Sequence, residues 1–255
     1  MQIRRQQLNH VSQWLQCGWR FWKNNILPWM LAAMLFMILA LLLFRIPIIG
    51  KLLLLFIIPI VYASGLLMIS QFAKGKHKLN KTFKDKVSLA LKILAGIFTH
   101  GEKVIPIIFL GTAMLLTGLL LEILGHLLGG TSFFSATVMV DAGFTGGLRL
   151  LGIETLLLVF YFFIAVAAFY AIPLTLFEDM TLVDAVIMSS KAWLKNGYPF
   201  SIHIIMYALP FIVFNIFLPA TDITGFIVLL ILGILLLPLF MHSTYCSYNL
   251  MYRKT

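Results

Sequence analysis

The sequence predicts an all-α, polytopic membrane protein: six transmembrane helices in three hairpins, each hairpin preceded by an interfacial amphipathic helix. Three observations predict it. Of 255 residues, 61% are hydrophobic and 11% charged, whereas a soluble domain is about 25% charged. Six apolar runs approach the roughly 20 residues that a helix needs to cross a bilayer core of about 30 Å. The basic residues gather on one side of those runs. The same composition excludes a disordered chain, which requires low hydrophobicity.

The runs, in order, are Ile26–Phe44, Leu52–Ser70, Val104–Leu128, Leu151–Phe177, Tyr198–Leu218 and Phe226–Tyr248. The first is too long for a signal-peptide core, and Phe44-Arg45-Ile46-Pro47 offers no small-residue cleavage site, so it reads as an anchor. Sidedness follows from lysine and arginine. The N-terminal tail, the connection after the second run, the connection after the fourth and the C-terminal tail together hold 16 of the 19. Arg45, Lys51 and Arg149 lie on the other side. Both termini are therefore expected in the cytoplasm, with the connection 129–149 external. The net charge of +10 is then a topology signal and an attraction to anionic headgroups, and no nucleic-acid partner is expected. Cys17 and Cys246 form no CxxC motif and fall on the cytoplasmic side, which predicts reduced thiols.

Segments preceding three of the runs repeat. Val11–Trp29 reads VSQWLQCGWRFWKNNILPW and Leu182–Phe200 reads LVDAVIMSSKAWLKNGYPF. Aligned on Pro28 and Pro199, Arg20 meets Lys191, Trp22 meets Trp193, Asn25 meets Asn196, and Trp29 meets Phe200. The segment ending at Pro106 follows more loosely. Each reads as an interfacial helix, a turn, and a proline in the first turn of a membrane helix, where its missing N–H costs nothing. Between Lys86 and Ile97 apolar residues at helical spacing interleave with lysines, as in a helix lying among headgroups. Trp22, Trp29 and Trp193 are the expected interface anchors. The whole chain reads as a single integral membrane domain, 1–255, of three units at about 1–73, 82–177 and 181–255.

Gly18, Trp19, Trp22, Pro28 and Trp29, followed by Asp179, Ala185, Ser189, Ala192, Trp193, Asn196, Pro199 and Phe200, carry a resemblance. The pattern resembles uncharacterised bacterial six-helix inner-membrane proteins, which are similar to the membrane domain accompanying some glycerophosphodiester phosphodiesterases. The resemblance implies a multi-pass protein of the bacterial inner membrane. The matched residues include no phosphodiesterase domain, so that activity is not implied, and the family supplies no catalytic residues to transfer.

Walker-type, GxGxxG, GxSxG and HExxH motifs are absent, and no cofactor is expected. Ionisable residues within the spans are then the candidates. His203 and His242 fall at matched depth inside the cytoplasmic leaflet, about 22 and 24 Å from the shared external turn. With Ser243 and Tyr245 they outline a candidate polar pocket, either proton-linked or simply a set of interhelical hydrogen bonds. Glu122, His126 and Glu154 lie near the external surface and suggest a cation or metal site, or interfacial charges paired with Arg149. Lys74, Lys76, Lys78, Lys81, Lys84 and Lys86 suit contact with anionic lipid headgroups. The functional expectation is a non-enzymatic inner-membrane protein working through lipids, mainly anionic, or through a membrane-protein partner, in an accessory or envelope-maintenance role. The alternative is a small transporter with a pocket facing the cytoplasm.

Overall fold

The computed structural model describes residues 3–75, 82–129, 164, 166–217 and 223–252. Every regular element among them is helical: α1 (Leu8–Lys23), α2 (Ile26–Phe44), α3 (Ile49–Ala73), α4 (Phe83–Ala95), α5 (Val104–Gly129), α6 (Val166–Phe177), α7 (Leu182–Phe217) and α8 (Ile223–Tyr252). Two 3-10 turns, Gly96–Thr99 and Gly101–Lys103, join α4 to α5. Among the described residues, four helical stretches are long and apolar enough to cross a membrane: Ile26–Phe44, Ile49–Ala73, Gly101–Leu124 and Ile227–Tyr252. Of the fourth expected run, Val166–Phe177 is a short apolar helix. The fifth is the second part of α7, up to Phe217.

The amphipathic helices begin with matching caps. Thr82 and Thr181 each donate a hydroxyl hydrogen bond to the aspartate three residues on, Asp85 and Asp184, and accept that residue's backbone N–H. At α1 the pair is Gln7 and His10, where the Gln7 N–H donates to His10 Nδ1 at 2.9 Å. Such reciprocal pairs satisfy orphan donors at a helix start. The exits match as well. Asn25, between α1 and α2, has φ −145° and ψ 45°, and Asn196 interrupts α7 with φ −129° and ψ 24°. Each break precedes a proline by three residues, so the chain turns from an amphipathic helix into an apolar one at the same place.

Helix α3 is the most enclosed of the four membrane-length helices, with every residue from Tyr62 to Ser70 buried. It packs against α2, α4, α5 and α8. One apolar cluster surrounds it, including Trp29, Leu66, Ile93, Ile97 and Ile107. A second joins α1, α6, α7 and α8 around Trp14, Tyr170, Phe200 and Tyr252. The α2–α3 turn is tight. Ile48 takes φ 54°, unusual for a β-branched residue, and Gly50 is closed in by the Leu43 carbonyl, against which any Cβ would collide.

The expectation of free thiols is corrected here. Cys17 and Cys246 form a disulfide, with their Cα atoms 6.1 Å apart. Absence of a CxxC motif bears only on neighbours in sequence, whereas α1 lies along α8 and brings together residues 229 positions apart.

Candidate functional site

The sequence placed His203, His242, Ser243 and Tyr245 in one pocket. The structure buries all four, but His203 stands on α7 and the three residues of α8 turn to different neighbours. His203 of α7 meets Ser243 and Thr244, its Nε2 lying 3.4 Å from Ser243 Oγ and 3.5 Å from Thr244 Oγ1. Ser243 Oγ donates its single proton to the Phe240 carbonyl at 2.9 Å. It therefore accepts from the Tyr207 hydroxyl at 3.1 Å and from an Nε2–H of His203. That tautomer leaves a lone pair on His203 Nδ1, which is buried without a hydrogen-bond partner. The ring is enclosed by Phe240, stacked at 5.6 Å, and by Trp14, edge-on at 5.7 Å.

His242 points elsewhere. Its Nδ1–H donates to the Pro238 carbonyl at 2.7 Å, and its ring meets Trp29 edge-on with centroids 4.4 Å apart. Tyr245 turns toward Phe21 and Phe177. The two histidines thus form two separate indole–imidazole contacts, one made by Trp14 of α1 and one by Trp29 of α2.

Glu122 and His126 do come together, with Oε1 3.4 Å from Nε2 on successive turns of α5. Glu122 is buried and His126 exposed. Glu154 lies outside the described residues, and among those described no three of His, Cys, Asp and Glu form a metal-holding group. Lys74 and Lys84 are exposed and Lys86 half-buried, while Lys76, Lys78 and Lys81 are outside the described residues. Trp22 and Trp29 pack into the core and Trp193 is half-buried, whereas Trp19 holds the exposed position on α1.

Sequence reasoning missed the N-terminal strap. Asn196 Oδ1 accepts the Gln6 N–H at 2.7 Å, and its Nδ2 donates to the Arg4 carbonyl at 3.2 Å. Lys195 Nζ adds a bond to the Ile3 carbonyl at 2.6 Å. The signal was present in the Asn25–Asn196 alignment, which marked a special position without naming its partner. Ser189 was flagged only as part of a motif. Its hydroxyl accepts the Tyr170 N–H at 3.1 Å and donates to the Val166 carbonyl at 3.3 Å, bridging one turn of α6. Tyr170 in turn meets Ser247 at 2.6 Å. Lys103 ties α5 to the end of α6 through the Leu176 carbonyl at 2.6 Å and Asp179 at 3.0 Å.

Apolar space is the other feature. A hollow of about 350 Å³ lies between α2, α3, α4, α6 and α8, bordered by Trp29, Tyr62 and Met241 among others. Comparison with protein families, curated proteins and solved structures returned no match.

Proposed function

We propose that this chain is a non-enzymatic integral protein of a bacterial inner membrane, crossing it six times with both termini in the cytoplasm. It works through anionic lipid headgroups or a membrane-protein partner, in an accessory or envelope-maintenance role, consistent with the inner-membrane families it resembles. One observation carries this reading: buried serine, asparagine and tyrosine side chains hydrogen-bond from one element to another and so fasten the fold. Ser64 accepts the Ile97 N–H at 3.1 Å, Ser189 and Ser247 hold Tyr170, and Asn196 holds the N-terminal strap; His242 is spent within α8 on the Pro238 carbonyl. Groups committed in this way are not free to meet a substrate, whereas the basic face of α4 is turned outward.

A carrier is the second reading, favoured by the unpartnered Nδ1 of His203. The test is proton and solute flux in reconstituted vesicles. The accessory reading expects no flux above that of protein-free vesicles. Flux abolished by His203→Ala in a folded protein would transfer the function to the carrier.

A further inference from the structure

Beside the 350 Å³ hollow lies a second apolar hollow of about 260 Å³. The two share one wall, made by Phe36 of α2, Val61 of α3 and Leu94 of α4. Both open sideways. Ile58 is exposed at the edge of the larger, and Leu35, Leu39 and Phe98 at the edge of the smaller. For helices in a bilayer, a sideways opening faces lipid tails, and an apolar hollow there is not filled by water.

Helix α4 supplies a second, independent observation. Lys84, Val87, Leu91 and Leu94 follow at spacings of three, four and three, which places them in one stripe, and Phe98 continues it in the 3-10 turn. Leu91 and Phe98 are more than half exposed, at 54% and 55%. Lys84 is exposed at the head of the stripe, with Lys92 exposed elsewhere on the same helix. An apolar track thus runs from a cation down to the wall between the two hollows.

We propose that this cleft is a binding site for one diacyl phospholipid with an anionic headgroup. Its two chains straddle the Phe36–Val61–Leu94 wall, one in each hollow, and its phosphate lies against Lys84. This rests on the lipid-contact reading above and names its site and ligand class.

The full chain is reconstituted in phosphatidylcholine vesicles and titrated with phosphatidylglycerol brominated at mid-chain. The readout is quenching of Trp29, which borders the larger hollow, taken as the difference between wild type and Trp29→Phe. Saturable quenching is expected, with a preference over brominated phosphatidylcholine of about fivefold, the factor that one surface lysine contributes. Lys84→Gln removes the preference, and Ala33→Phe, which fills the larger hollow, removes the saturable quenching. Lysophosphatidylglycerol competes less well than the diacyl lipid. Equal competition by the single-chain lipid overturns the two-chain site. A preference for phosphatidylglycerol that survives in folded Lys84→Gln and Ala33→Phe overturns the cleft while leaving the general lipid reading standing. Absence of any preference in wild type overturns both.

Discussion

Gly18 of α1 and Ser243 of α8 meet backbone to backbone: a Cβ at position 18 would lie 2.7 Å from the Ser243 nitrogen and 2.9 Å from its Cα. One residue before Gly18, Cys17 is bonded to Cys246. The same Ser243 accepts hydrogen bonds from Tyr207 and His203, so the α1–α8 seam and the imidazole site share a residue.

Gly18→Ala is therefore expected to destabilise the protein by about 1–3 kcal/mol, the usual cost of overpacking. Thermal unfolding in detergent measures it. Because the clash is with α8 backbone, adding Ser243→Ala will not rescue the variant.

The disulfide closes a loop spanning 229 positions. Cys17→Ser and Cys246→Ser should each cost about 2–5 kcal/mol. Intact-mass alkylation checks the bond itself: the native protein takes up no iodoacetamide label, and the reduced, unfolded protein takes up two. Cys246 is buried and Cys17 half-buried, so an attacking thiol reaches Cys17 first.

Asn196→Ala removes two of the strap's bonds, those to the Gln6 N–H and the Arg4 carbonyl, while Lys195 still holds the Ile3 carbonyl. Loss of the two bonds should cost about 1–3 kcal/mol and loosen the strap. Limited proteolysis should then cut near the N-terminus much faster than in wild type. Asn196→Asp keeps the acceptor for Gln6 but not the donor for Arg4, and should fall between the two.

Sidedness is tested by single cysteines in a Cys17→Ser, Cys246→Ser background. Arg45→Cys, in the α2–α3 turn, should react with an impermeant thiol reagent added to intact cells. Lys84→Cys, on α4, should react only after permeabilisation. The test matters because the charge count places the α1–α8 seam in the cytoplasm, while stable disulfides belong to oxidising compartments. Reversed labelling would place Cys17–Cys246 on the oxidising side and overturn the topology.

The helices were legible because apolar runs and amphipathic spacing are local properties, and α2, α3 and α5 fall close to where hydropathy puts them. The turn before each proline was legible from aligned sequence: Asn25 and Asn196 both leave helical geometry. Counting residues gives His203 and His242 one expected depth, but depth does not give rotation. Adjacent positions on α8 point about 100° apart, so His242 and Ser243 face different neighbours. The cysteine pair, the Asn196 strap and the Ser189 bridge each join elements remote in sequence, and no local pattern carries that information. The hollows were hidden for the same reason, since an apolar residue lining a cavity reads like one facing lipid or core.

Native mass spectrometry after gentle extraction from the protein's own membrane separates a lipid- or partner-binding protein from a carrier. The chain is expected to leave the membrane with bound anionic phospholipid, or with a membrane-protein partner at fixed stoichiometry. A chain that emerges with neither, and instead retains a small polar solute at one copy per protein, would contradict that expectation.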